Sequence, residues 1–128
     1  MKNLFLLPLV VFSLNAFDVN TTVIGDKVLK REFSTFWKSF DKKNYKKMYL
    51  IEAPYFRYLY SFDDYRAYYK NFKKIDVVAV DKIIQDGGKY TLKLKLSIGN
   101  KDVYFDDIWL RVNKKVFHKT DDIVLFKD

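Results

Sequence analysis

An α+β fold, with N-terminal helices packed against an antiparallel sheet, is what the sequence predicts, and three observations predict it. Residues Tyr90 to Ile98 alternate strictly: Tyr90, Leu92, Leu94, Leu96 and Ile98 point one way, and Thr91, Lys93, Lys95 and Ser97 the other, the period of a half-buried strand. Turn-forming clusters (Gln85-Asp-Gly-Gly-Lys89, Gly99-Asn100-Lys101-Asp102 and Asn113-Lys114-Lys115) divide the flanking β-branched segments into consecutive hairpins. Ahead of them, Leu29, Phe33, Phe36, Trp37 and Phe40 recur at helical spacing. Helices segregated ahead of a run of strands is the α+β pattern.

The elements follow in order. Phe17 to Gly25 reads as a short polar tether, and Asp26 as the N-cap of a helix from Lys27 to Phe40 whose aromatic stripe covers the core. Asp41 to Asn44 breaks that helix. Tyr45 to Ile51 resumes it as a short second helix, with Tyr45, Met48 and Tyr49 or Leu50 inward. Pro54 opens a third turn to Tyr60, since proline is tolerated in the first turn of a helix. Ser61 with Asp64 forms a capping box for a fourth helix to about Phe72. Strands are then expected at Ile75 to Ile84, Tyr90 to Ile98, Val103 to Val112 and Val116 to Lys119. Gly87 and Gly88 are expected to accept positive φ at the first turn, and Ile123 to Phe126 to add an edge strand.

A chain of 128 residues with a 49% apolar fraction is one domain with a real core. Lys2, the apolar run Leu4 to Leu14 and the small Ala16 have the anatomy of a signal peptide. The run is well short of the roughly 20 apolar residues a membrane span needs. The expected organisation is therefore a leader 1–16, a tether 17–25 and one domain 26–128, with no transmembrane span in the mature chain and a periplasmic or secreted address. Removing Lys2 with the leader leaves 23 basic side chains against 16 acidic, a net of +7. In an exported protein that charge is expected to meet an envelope protein or an anionic envelope component, not nucleic acid. There is no cysteine and one histidine, so neither a disulfide nor the common zinc constellations are available, and no metal or cofactor is expected.

Several segments resemble the NTF2-like superfamily, the SnoaL-like or cystatin-like cone in which a curved sheet wraps a long first helix. They are Phe36-Trp37 on the first helix, Tyr45-Lys-Lys-Met-Tyr49, Ala53-Pro-Tyr-Phe-Arg57, the hairpins, and Asp107-Ile-Trp-Leu-Arg-Val112 followed by Lys115-Val-Phe-His118. Asn113-Lys114-Lys115 stands where a glycine is common in the family, and Val116 where a tryptophan is usual. The resemblance spans about Asp26 to Lys119. It implies a fold more than an activity, because the cone hosts dehydratases, isomerases, transport adaptors and assembly domains alike.

Candidate chemistry is sparse. Asp107, Trp109 and Arg111 share a strand face by parity; the functional reading is a clamp at the cone mouth, and the plain one a structural tryptophan flanked by charges. His118 is either a base in a cone pocket, as the resemblance allows, or a satisfied edge residue. Eight of the ten tyrosines lie between Tyr45 and Tyr69. They fill the core and its rim, or else form a contact surface for a ring-bearing ligand or a protein. Tyr55 and Tyr58 belong to that surface, rimmed by Arg57, Arg66 and Lys70. The basic run that includes Lys42, Lys43, Lys46 and Lys47 is a solvated face or a docking surface for an anionic partner.

With one histidine, no metal set and no carboxylate pair in a clearly apolar context, a binding module with a protein partner is expected over a small cone-pocket enzyme of dehydratase or isomerase type. A cone interior plugged by Phe36, Trp37 and the tyrosines would fit binding, and a deep polar cavity catalysis. The expected state is a monomer or weak homodimer. Lys93 and Lys95 would repel a second copy at the centre of their strand, leaving Val103, Phe105 and Trp109 as the outer contact.

Overall fold

The computed structural model describes residues 17–120; the leader and the expected strand at Ile123 to Phe126 lie outside the described residues. The elements are β1 (Asp18–Asn20), α1 (Lys27–Asp41), α2 (Tyr45–Ile51), α3 (Pro54–Leu59), α4 (Phe62–Lys70), β2 (Val77–Asp86), β3 (Lys89–Ile98), β4 (Lys101–Val112) and β5 (Lys115–Lys119). The strands form one sheet in chain order. β2 to β5 pair as an antiparallel meander, and the sheet curls over α1 as the NTF2-like resemblance implies.

The segment read as a tether is instead part of the fold. β1 pairs in parallel with β2, Asp18 opposite Val77 and Asn20 opposite Ala79, so the sheet is mixed at one edge. Ile24 is buried, and Phe17 and Val19 pack against the core. The polar composition of 17–25 hid the reason: alternate residues Phe17 and Val19 give one apolar side, and the backbone between them covers the otherwise free edge of β2.

Helix α1 forms where the stripe requires it. Asp26 caps it, its carboxylate accepting from the Val28 and Leu29 amides at 2.9 and 3.0 Å, and Leu29, Phe33, Phe36, Trp37 and Phe40 are all buried. The helix ends in a Schellman arrangement: the Lys43 amide donates to Phe40 O at 3.0 Å and the Asn44 amide to Ser39 O at 2.8 Å. Lys43 therefore sits at the left-handed position, φ 59°, where glycine is usual and a side chain costs about 1–2 kcal/mol. Lys43→Gly is accordingly expected to raise stability by about 1 kcal/mol in denaturant melts. A loss of stability would show that the lysine side chain contributes more than its backbone costs. Asn44 caps α2 and Ser61 caps α4, the latter accepting from the Asp64 amide at 3.2 Å as the sequence predicts.

The hairpins turn where expected, with two refinements. Of the two glycines at the first turn, Gly87 has positive φ (+59°) and Gly88 does not, the pattern of a type II′ turn. Gly88 is needed for another reason: a Cβ there would lie 3.0 Å from Arg111 O. In β2 the register shifts between Val80 and Lys82. The bulge returns Ile83 to the inward side shared by Val78 and Val80 and strengthens the local twist.

The pairing of β3 with β4 corrects one expectation. Trp109 faces Tyr90 and Asp107 faces Leu92, so both belong to the inward leucine side, and Trp109 is fully buried. It is not an outer contact for a second copy. Burial also wins over charge here, because Asp107 is taken inward by indole partners described below. On the outer side Lys93 pairs with Asp106 at 2.9 Å and Lys95 lies 3.9 Å from Asp102. Each of these two lysines thus has a β4 carboxylate beside it, while Lys82 of β2 stands opposite Lys93.

Candidate functional site

The space between α1 and the sheet is filled by Phe33, Phe36, Trp37, Tyr65, Tyr69 and Trp109, all buried. Inside this aromatic packing lies a polar cluster that the strands and the α2–α3 junction assemble. His118 of β5 reaches Glu52 Oε2 with Nδ1 at 2.7 Å and Asp107 Oδ1 with Nε2 at 2.6 Å. Glu52 is drawn in because its backbone bridges β5 at His118 and the Ala53 amide donates to His118 O at 2.9 Å. Phe36 stacks on the imidazole at 4.0 Å between centroids.

Two carboxylates around one imidazole leave the cluster short of donors, and the surrounding side chains supply them. The Trp37 and Trp109 indoles both donate to Asp107 Oδ2 at 3.0 Å. Glu52 Oε1 accepts from the Thr120 amide at 3.0 Å, and Oε2 accepts from the Tyr65 hydroxyl at 2.7 Å and the Thr120 hydroxyl at 2.6 Å. Burial disfavours the charged imidazole, but Glu52 and Asp107 together outweigh it and push the His118 pKa up to about 10. Burial, reinforced by Glu52 and by neighbouring phenols against a lowering contact from Thr120, holds the Tyr65 and Tyr69 phenols well above their ordinary value, so they remain donors.

A protonated histidine clamped by two carboxylates has no free lone pair with which to take a substrate proton. The cluster is also closed to a substrate: Glu52, Asp107 and His118 are at most 2% exposed, and the gap beside it holds about 10 Å³, room for about one water. It is a carboxylate pair in an apolar setting, contrary to expectation, and in this geometry it ties the α2–α3 junction to β4 and β5.

The larger feature is on the surface. An open groove of about 950 Å³ runs between the end of α1, the start of α2 and the end of α4. Its apolar lining is Phe40, Tyr45, Phe72 and Ile75; its charged lining is Lys43, Arg66, Lys70, Lys73 and Lys74 against Asp41 alone. Lys43 is placed there by the left-handed end of α1. Arg66 and Lys46 both lie over the Phe62 ring, at 5.9 and 4.8 Å, so the basic surface continues along α2 and α4.

The predicted site residues divide accordingly. Lys43, Arg66 and Lys70 meet in the groove, and Lys46 adjoins it. Lys42 and Lys47 are exposed but do not line it. Tyr55 and Tyr58 are exposed on α3. Arg57 is half-buried, with Nε unpartnered among the described residues. Arg111 is no mouth clamp: it bonds the Tyr90 hydroxyl at 3.0 Å and the capping carboxylate of Asp26, tying β4 to the start of α1. Trp109, Asp107 and His118 are interior. Sequence reasoning missed Glu52, Lys73 and Lys74. Lys73-Lys74 directly after Phe72, just past the end of α4, was a readable signal, whereas Glu52 gave none beyond being a lone acid between apolar neighbours.

No family model matches the chain, and no curated protein does. Among solved structures it is similar to a SEC-C motif containing protein from Rhodopseudomonas palustris, at 11% identity and a TM-score of 0.53, over 71% of this chain and 74% of that one. It is also similar to an NTF2-like protein of unknown function from Cytophaga hutchinsonii, at 12% identity and a TM-score of 0.42, over 81% of this chain and all of the other. At 11% identity the first likeness is one of fold alone.

Proposed function

We propose that the protein is an exported binding module of the periplasm or cell envelope, and that it captures an anionic protein partner in the basic groove. The observation that carries this reading is the groove's composition, five cations and one carboxylate around an aromatic floor. Such a surface suits an acidic segment bearing apolar side chains: the cations steer it in and the rings hold it. The filled interior and the clamped state of His118 favour binding over the cone-pocket enzyme.

The test is titration with a labelled peptide of alternating glutamate and phenylalanine at two salt concentrations. The joint reversal Lys43→Glu, Arg66→Glu, Lys70→Glu and Lys73→Glu is expected to weaken binding at least about tenfold and to flatten its salt dependence. Reversals at Lys30, Lys82, Lys89 and Lys101, exposed and outside the groove lining, change the net charge by the same amount and are expected to do much less. Equal loss from both sets would show a response to net charge only, and the groove assignment would fall.

A further inference from the structure

A second surface shares no lining residue with the groove. Helix α3 buries Phe56 on one side and turns Tyr55, Tyr58 and Leu59 outward, 46%, 90% and 64% exposed. Pro54, at the start of this helix, meets the β4–β5 turn in an open concavity with Val112, Lys114, Lys115 and Phe117. A neighbouring depression brings Leu50 and Arg31 to the same Lys114, Lys115 and Phe117. Leu50 and Val112 are each 54% exposed. Of the large apolar side chains that the described residues leave exposed, more than half thus gather at this one end of the molecule. A soluble monomer rarely leaves such a patch unused.

We propose that this end docks on an anionic lipid bilayer. The exposed rings and aliphatic side chains project outward, and Tyr58 in particular stands clear of its neighbours, so they can enter the headgroup boundary without rearrangement of the fold. Tyrosine suits that depth, with an apolar ring and a polar tip. The charge complements it: Lys114 and Lys115 are exposed on the rim, and Arg31, exposed beside them though paired with Glu32 of the same depression at 3.7 Å, adds a third cation. Apolar insertion together with flanking cations is the pair of contributions that holds a peripheral protein on acidic lipid. A protein partner of matching shape is the competing occupant, but a projecting tyrosine, 90% exposed, on the helix whose Pro54 meets the Lys114-Lys115 turn offers lipid headgroups more than it offers a rigid pocket. The patch and the groove share no lining residue, so docking here does not occupy the groove.

The test uses the chain from Phe17, which contains every element and core residue described and lacks the apolar leader that would itself bind lipid. Co-sedimentation with phosphatidylcholine vesicles containing phosphatidylglycerol is expected to exceed that with phosphatidylcholine alone by at least about tenfold. Tyr58→Ser with Leu59→Ser, and separately Lys114→Glu with Lys115→Glu, should each reduce it by about tenfold or more. Tyr58→Trp should show a blue-shifted emission on the acidic vesicles. Absence of vesicle binding at low salt overturns the proposal, as does binding that responds to the lysine reversals but not to the serine pair, which would be simple charge adsorption. The groove reversals named above should leave this binding largely intact. Failure of the unmutated chain to capture the peptide, with vesicle binding retained, would therefore sink the groove reading and not this one.

Discussion

His118→Leu is expected to cost about 3–5 kcal/mol of stability, because it removes the cation between two buried carboxylates and leaves them facing each other unpaired. Chemical denaturation should show this as a shift in midpoint at constant slope. The same residue gives a pH signature. Its folded pKa of about 10 lies above the ordinary 6.5, so the stability it contributes is fully present below about 6.5 and is lost as pH rises through 10. Between those limits folding takes up a proton, and stability should fall by at most about 1.4 kcal/mol per pH unit. That slope should vanish from the His118→Leu variant. A wild-type profile parallel to that of the variant from pH 7 to 10 would show that the imidazole is neutral and the clamp reading wrong.

Trp37→Ala should cost about 3–5 kcal/mol, the usual loss for a large core aromatic. Its ring lies 5.3 Å from Phe36 and 5.6 Å from Phe40, both edge-on, and its N–H is one of two that satisfy Asp107 Oδ2. Trp37→Phe separates the two contributions. It keeps most of the apolar ring and deletes the donor, so a loss of about 1.5–3 kcal/mol would be the hydrogen bond to a charged acceptor. A loss below about 1 kcal/mol for the alanine variant would mean that α1 does not cover the sheet as described.

These two residues mark how far local pattern reaches. Trp37 was legible: its place in the stripe follows from helical spacing with Phe33 and Phe40, and burial of that stripe is dictated by transfer of apolar area from water. Legible for the same reason were the caps at Asp26 and Ser61, the proline opening α3, and the hairpin turns, since each depends on residues within a few positions of one another. His118 was legible as a residue but not as a site. Its partners lie 66 and 11 positions away, and nothing in the chain near Glu52 announces that its backbone will bridge β5.

The aromatic and strand periodicities of the sequence, by themselves, determined a helical front half, a four-strand meander and an α+β class, because these depend on short-range spacing and on which face avoids water. Only the tertiary structure decided which charges go inside and which gather outside. Curling the sheet over α1 puts Asp107 on the leucine side with two indoles to satisfy it and closes the cluster on Glu52 and His118. Ending α1 in a left-handed Lys43 sets that lysine beside Lys70, Lys73 and Lys74 of the α4 end. Both outcomes are long-range: a buried charge is tolerated only where distant donors converge on it, and a surface acquires a strong field only where distant cations are brought to one groove.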